Sequence, residues 1–275
     1  MAWRGSLDLD YRRRDDRTVV QDRHDGPLRV LKSLHPEPGI CHSVLVHPPG
    51  GLVGGDSLAI AVRLARDAHA LITTPGATRF YRSTGSVAEQ SLSVDAAAGS
   101  RLEWLPLETI AYSGCQAENR MRFDLAPGAE MIGWDVSALG LPASAQPFVA
   151  GRFTQTIELP GSWLERGSVR ACDTRLLDSP LGWAGERVLA TLWFAAGSAL
   201  AEPRRAALLE AARETAQAHP LGATAGATSP HETVVVLRVL AGQVEPAKEM
   251  LKRVWQAWRP LAWQLPATLP RIWST

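Results

Sequence analysis

LAIAVRLARDAHALIT, residues 58–73, alternates apolar and polar side chains as far as Leu64, then runs through a short turn around Asp67 into a second apolar segment. Alternation with a period of two places one face of a strand in a core and the other in solvent. The same pattern occurs in SLDLD at residues 6–10 and in TQTIEL at residues 154–159. The first two thirds of the chain are therefore predicted to be β-structure.

The strand, turn and strand of residues 58–73 return three more times along the chain. The later copies read SLSVDAAAGSRLEWLP at 91–106, MRFDLAPGAEMIGWD at 121–135 and TIELPGSWLER at 156–166. When the turns are aligned at Asp67, Gly99, Gly128 and Gly161, the spacings are 32, 29 and 33 residues. A period near thirty is typical of stacked β-layers that bury their apolar faces against one another. Hairpins of a plain β-sandwich give similar turn spacings, so both architectures stay open at this point.

The last third of the chain has helical composition on both sides of one strand. Residues 203–217 begin with Pro and are rich in Ala, Leu, Glu and Arg, which predicts a helix. Residues 233–240, TVVVLRVL, predict a buried strand. Residues 246–258 place their apolar side chains on one helical face, which packs on the core or, alternatively, fits a groove of a partner. Between these elements, GATAGATSPHE at 222–232 is predicted to be a mobile loop.

The composition indicates a single globular domain over residues 1–275, with a β-layered body at about 1–200 and a helix-strand-helix region at about 201–275. A net charge of +1 lacks the basic excess of a nucleic-acid-binding surface. Three widely spaced cysteines support neither a disulfide framework nor a zinc knuckle and indicate a reducing compartment. No apolar run approaches the ~20 residues of a membrane span, and the N-terminus is charged where a signal peptide is apolar. We therefore expect a cytoplasmic protein.

Two segments dense in turn-forming residues are candidate sites. HPPGGLVGGD, at 47–56, has the glycines of a phosphate-binding loop, but it lacks Gly-Lys-Ser/Thr and the G-x-G-x-x-G spacing, and a strand follows it. TTPGATRFYRS, at 73–83, groups Thr78, Arg79 and Tyr81 beside a Pro-Gly turn. These side chains either line a polar cavity, bind an anion, or form the solvent face of an ordinary strand.

Carboxylates beside tryptophan or inside apolar runs are a third candidate feature. A carboxylate on an inward strand position must be paired, protonated, hydrated or metal-bound. Several of them in stacked layers would form a polar file that offers oxygen ligands to divalent cations. The carboxylates in question are Asp56, Glu103, Glu108, Asp135 and Glu165.

Histidine and cysteine residues near the first candidate segment do not form a recognisable metal site. On a strand, Cys41 and His47 lie on one face and His42 on the other, so they do not converge with His35. No His-x-His, His-Glu-x-x-His or Gly-x-Ser-x-Gly motif occurs. We therefore predict no tightly bound metal and no catalytic residue, and the roles of these four side chains stay open.

Several segments together resemble the urease accessory protein family UreD, also called UreH. The resemblance runs in order from the first strands to the last residues, so it covers essentially the whole chain. The segments that carry it are HPPGGLVGGD (47–56), TTPGATRFYRS (73–83), LEWLPLETI (102–110), WD (134–135) and LPRIWST (269–275).

The resemblance implies both a fold and a function. The family fold is mainly β, with helix-like stacking of strands and two helices, which favours stacked β-layers of β-helix-like character. UreD proteins are non-catalytic scaffolds or chaperones that join the helical protein UreF and the GTPase UreG, dock on urease apoprotein and assist nickel insertion. At matching positions, Asp56, Thr78, Asp135 and Glu165 are implied to line an internal tunnel through which nickel passes without being tightly bound.

Two alternatives from other classes are an enzyme with a small substrate in a polar cavity beside Arg79 and Tyr81, and a generic β interaction module.

Ten tryptophans against three tyrosines and five phenylalanines are an unusual aromatic set. Tryptophan is enriched where proteins bind one another. The C-terminal tryptophans are therefore predicted to contact a partner, with packing in the core as the alternative: Trp255, Trp258, Trp263 and Trp273.

Overall fold

The computed structural model describes residues 2–274 and is built mainly from strands, as the alternation predicts. The first strands of this part are β1 (Arg4–Arg14), β2 (Arg17–Asp25), β3 (Arg29–Leu34), β4 (Ile40–Val46), β5 (Ser57–Leu64), β6 (His69–Thr73), β7 (Thr78–Phe80), β8 (Ala88–Ala96) and β9 (Arg101–Trp104). The later strands are β10 (Thr109–Ala111), β11 (Gln116–Leu125), β12 (Glu130–Leu141), β13 (Gln146–Pro147), β14 (Arg152–Leu159), β15 (Trp163–Arg170), β16 (Val188–Ala196), β17 (Ala225–His231) and β18 (Val234–Ala241). The α-helices are α1 (Thr174–Asp178), α2 (Glu202–Gln217) and α3 (Val244–Trp263), and 3-10 turns cover Pro142–Ser144, Gly222–Thr224 and Arg271–Ser274.

The strands form a β-solenoid of about four turns. The first sheet has the order β15-β14-β11-β8-β5-β1-β2, and the second has the order β17-β18-β16-β12-β9-β6-β4-β3. From β1 to β14 the first sheet is parallel, and so is the second from β4 to β12. A short third face consists of β7, β10 and the second half of β12. Layered stacking is therefore confirmed over the plain sandwich.

Three of the four repeat turns carry the chain from the first sheet to the second. Asp67, Gly99 and Gly128 each have positive φ, and successive turns are linked by the Gly99 amide, which donates to the Gly128 carbonyl at 3.2 Å. Gly161 also has positive φ, but it lies between β14 and the antiparallel strand β15 of the same sheet. The fourth repeat is therefore a hairpin rather than another layer, which corrects the prediction from turn spacing.

Strand β12 is buried on both faces and separates two apolar cores. Met131 and Leu139 face the solenoid interior between the sheets, while Ile132 and Trp134 face a second core under α2 and α3. Odd-numbered side chains of β12 thus point inward, and Asp135 is one of them. This register is what brings a carboxylate into the interior of the solenoid.

The two helices and the strand predicted in the last third of the chain are present, with one correction. α2, β18 and α3 match the predicted elements, although α3 extends past Pro260 as far as Trp263. The predicted mobile loop at 222–232 is wrong, because these residues form a 3-10 turn and then β17, which pairs antiparallel with β18. Pairing satisfies the backbone groups that β18 would otherwise leave open at a sheet edge. Between residues 2 and 274, no helix has the length and apolar character needed to cross a membrane.

Candidate functional site: a polar interior passage

The two segments dense in turn-forming residues lie against each other at one end of the solenoid. The Leu52 amide donates to the Arg79 carbonyl at 2.7 Å, and the Tyr81 amide donates to the Leu52 carbonyl at 2.8 Å. A Cβ atom at Gly51 would lie 2.4 Å from Cε2 of Tyr81, so only glycine allows this approach. The glycines therefore serve close packing of the two segments.

A cavity of about 210 Å³ begins where these two segments meet and extends into the solenoid. It is bounded by the first sheet, the third face and the loop that follows β9. Most of the surrounding core is apolar, but this space is lined in part by side chains that donate or accept hydrogen bonds. Those side chains include His47, Thr78, Gln90, Thr109, Asn119 and Asp135.

A row of amide side chains crosses the inner face of the first sheet. Gln90, Asn119 and Gln155 are neighbours on β8, β11 and β14, at positions whose flanking inward residues are apolar. The Gln90 amide donates to Oδ1 of Asn119 at 3.4 Å. Both amide atoms of Gln155 are buried and have no hydrogen-bond partner among residues 2–274. The row thus presents unused polar groups to the interior along the solenoid axis.

Asp135 faces this row from the second sheet. It is 7% exposed, and its Oδ2 accepts a hydrogen bond from Ser137 Oγ at 2.8 Å. Burial raises the pKa of Asp135 to about 7; the Ser137 hydrogen bond opposes this rise, and the negative charge of Glu165 adds to it. The carboxyl group is therefore partly protonated at neutral pH.

Glu165 lies at the far end of the same interior. The ladder of the second sheet places Asp135 beside Thr191 and Thr191 beside Arg238. Thr191 donates to Oε1 of Glu165 at 3.3 Å, and Arg238 donates to Oε2 from Nε at 2.7 Å. Polar groups therefore continue from the cavity to the end of the solenoid at β15 and β18.

The structure brings together three of the four residues implied by the resemblance. Thr78 and Asp135 line the cavity, and Glu165 lies beyond it, within electrostatic reach of Asp135. Asp56 lies in the glycine-rich loop, where its two oxygens accept hydrogen bonds from the Trp3 and Val53 amides, both at 2.9 Å. Its observed contacts hold the loop in shape, and it is not part of the cavity lining.

The four histidine and cysteine residues diverge, as the strand alternation predicts. His35 bonds to the Thr18 carbonyl, Cys41 packs in the interior core, and His42 faces Glu37 on the opposite side of β4. Only His47 lines the cavity, and burial lowers its pKa while the Asp56 charge opposes this. Across residues 2–274, no group of three or more His, Cys, Asp or Glu side chains is arranged to hold a metal ion.

Comparison with known proteins identifies the family. A model of the family described as UreD urease accessory protein matches residues 4–274. The chain belongs to the UreD family. The urease accessory protein UreD of Paracidovorax citrulli (strain AAC00-1) is 62% identical over 275 residues, and those of Polaromonas naphthalenivorans (strain CJ2) and Variovorax paradoxus (strain S110) are 60% identical. Each match covers all of this chain and all of the relative.

A buried ionic cluster, which sequence reasoning missed, fastens α3 of this UreD-family chain to the second sheet. Arg259 is fully buried and donates to both carboxylate oxygens of Glu37 and of Glu103, at 2.7 to 3.1 Å. His42 and His69 contact the same carboxylates at 3.0 Å. Burial alone would raise the pKa of Glu103, but its bonds to His69 and Arg259 lower it to about 2. Glu103 therefore stabilises the fold and is not part of the cavity lining, and neither is Glu108, which pairs with Lys248.

The C-terminal tryptophans of this UreD-family chain lie in the core. Trp255 and Trp258 have no exposed area, and Trp263 has 5%. Their indole N–H groups donate to Glu103, to the Leu208 carbonyl and to Glu130, and that of Trp273 donates to Thr73. This arrangement agrees with the alternative of packing in the core, because the apolar face of α3 packs onto the sheet. A contact between this segment and a partner stays a prediction.

Proposed function

We propose that this UreD-family chain is a non-catalytic scaffold of urease maturation whose interior passes nickel ions towards urease apoprotein. The observation that carries the proposal is the polar-lined cavity beside the glycine-rich loop, which includes Asn119 and Asp135, together with the polar neighbours that lead from Asp135 through Thr191 to Glu165. Membership of a family of urease accessory proteins supports a role in urease maturation. The family name also supports an accessory rather than a catalytic role.

The chemistry of the lining suits transit rather than storage of an ion. A conduit must replace part of an ion's hydration shell and yet release the ion, so its ligands must be numerous and individually weak. Amide and hydroxyl oxygens with one partly protonated carboxyl group meet this requirement better than a cage of His and Cys, which would hold nickel tightly. The cavity of about 210 Å³ also has room for several water molecules, since each occupies about 30 Å³ in the liquid.

The proposal assigns one partner to each end of the passage. Exposed apolar side chains flank both ends: Trp3 and Val53 beside the glycine-rich loop, and Leu164 next to Glu165. Such side chains are suited to protein contacts. We propose that a complex of UreF and the GTPase UreG docks at one end and urease apoprotein at the other, in the cytoplasm. Nickel then crosses between them without entering bulk water.

The experiment is maturation of urease with the Asp135→Asn variant, which keeps the size of the side chain and removes its charge. Nickel bound per urease active site is expected to fall at least fivefold, while the variant still co-purifies with its accessory partners. Asp95→Asn, on the exposed face of β8, is the matched control and should give full nickel loading. Full loading with Asp135→Asn would contradict the passage.

A further inference from the structure

We propose that Arg238 is a tethered counter-cation, which occupies the Glu165 carboxylate until a divalent ion displaces it. This inference rests on the proposed function and assigns a role within it to a residue outside the implied tunnel set. The starting observation is that Arg238 interrupts the apolar strand VVVLRVLA on its inward face, in line with the buried residues Val234 and Val236. A charge at such a position requires a specific partner.

Two contacts hold the guanidinium in place. Nε and Nη2 of Arg238 both donate to Oε2 of Glu165, and the guanidinium lies over the ring of Trp163 at 5.8 Å from its centroid. The other oxygen of Glu165 accepts a hydrogen bond from Thr191. Both oxygens of this carboxylate are thus already engaged, and an ion that arrives from Asp135 must replace the guanidinium to bind it.

The surroundings give the guanidinium somewhere to go. The Arg238 side chain is 40% exposed, against 20% for Glu165, so the pair lies at the boundary between the interior and solvent. The ladder neighbour of Arg238 on β17 is Gly226, and a Cβ added there would meet nothing within 4 Å. Arg238 can therefore swing outward over open space and return after the ion has left.

The consequence is a low affinity at the end of the passage. Without Arg238, Glu165 would lose its cationic partner and would share the interior with Asp135, and two such carboxylates are an attractive site for a divalent ion. Such a site would retain the cargo. With Arg238 present, binding of the ion is opposed by loss of the ion pair, so release stays fast.

The test measures Ni²⁺ binding to the purified full-length chain by equilibrium dialysis. Arg238→Met keeps the aliphatic packing on Trp163 and removes the charge, so the affinity for Ni²⁺ is expected to rise at least tenfold over the wild type. Arg238→Lys is the control that keeps the charge and should bind as weakly as the wild type. Arg238→Met combined with Glu165→Gln should lose the gain. If Arg238→Met does not fold, Arg238→Gln gives the same comparison.

Two results would overturn the role of Arg238: wild-type affinity for Ni²⁺ in the folded Arg238→Met or Arg238→Gln variant, or a gain in affinity that survives Glu165→Gln.

The result for Arg238 can be distinguished from the result for the proposed function. If Asp135→Asn loads urease fully and yet Arg238→Met binds Ni²⁺ more tightly through Glu165, the passage is wrong and the counter-cation stands. If Asp135→Asn fails to load urease and Arg238→Met binds like the wild type, the passage stands and the counter-cation is wrong.

Discussion

Replacement of Arg259 by methionine should lower the free energy of unfolding by about 3 to 5 kcal/mol, the cost of leaving a buried charge without its partner. Arg259 is fully buried and makes five hydrogen bonds, two to Glu37, two to Glu103 and one to the Pro266 carbonyl. Glu103 supports the direction of this effect, because its hydrogen bonds to His69 and Arg259 outweigh the cost of burial and lower its pKa from 4.5 to about 2.

The stability deficit of Arg259→Met should depend on pH, whereas a deficit caused only by lost packing would not. Because the pKa of Glu103 is lowered in the folded state, its contribution is present above about pH 4.5 and is lost as the pH falls towards 2. The deficit of the variant should therefore be largest at neutral pH and shrink at pH 4.

The assay is urea unfolding followed by tryptophan fluorescence at pH 7.5 and pH 4. Arg253→Met is the matched control, because Arg253 lies on the same helix in an exposed pair with Glu249, and such pairs contribute about 0.5 kcal/mol or less. A deficit below about 1 kcal/mol for Arg259→Met at pH 7.5, or one that is equal at both pH values, would refute the reasoning.

Three further predictions concern the site and the core. Asp135→Asn should raise the free energy of unfolding at pH 8 by about 1 to 4 kcal/mol. Most of this gain should be absent at pH 4, because the raised pKa of Asp135 costs stability only as the pH rises from 3.8 through about 7. Equal gains at both pH values in urea unfolding would contradict this. Gly51→Ala should cost about 1 to 3 kcal/mol, whereas Gly76→Ala, where a Cβ meets nothing within 4 Å, should be neutral in the same assay. A thiol reagent at pH 8 should modify the exposed Cys172 quickly and the buried Cys41 and Cys115 slowly. Burial blocks access to both thiols and raises their pKa values, that of Cys115 to about 12. Equal reaction rates for all three cysteines, followed by absorbance, would contradict their burial.

Period-two alternation predicts the strands of the solenoid well, because each strand buries one face. Gly99 and Gly161 nevertheless have the same local turn chemistry and different consequences, since one turn crosses between sheets and the other closes a hairpin. The choice depends on which strand edge is free to pair, and no local signal encodes it. Residues 222–232 illustrate the same limit, because their pairing with β18 overrides a composition typical of a loop.

Part of the site was also predictable from the sequence. Asn119 interrupts an inward series with Ala117 and Met121, and Gln90 and Gln155 occupy equivalent inward positions. Polar residues at the inward, otherwise apolar positions of each strand mark this row in the sequence. The pairing of Glu103 with Arg259 spans 156 residues and depends on how α3 lies across the sheet. No spacing along the chain reveals such a contact.

If the polar interior conducts nickel, Asn119 must take part, because it lies in the middle of the amide row. Asn119→Leu keeps the branching and the number of non-hydrogen atoms of the side chain and removes its polar atoms. The measurement is the nickel content per active site of urease matured with this variant, with Ser93→Ala on the exposed face of β8 as the control. Asn119→Leu is expected to cause a severalfold loss of nickel while the accessory complex remains assembled. Wild-type nickel content with a folded Asn119→Leu variant would contradict it.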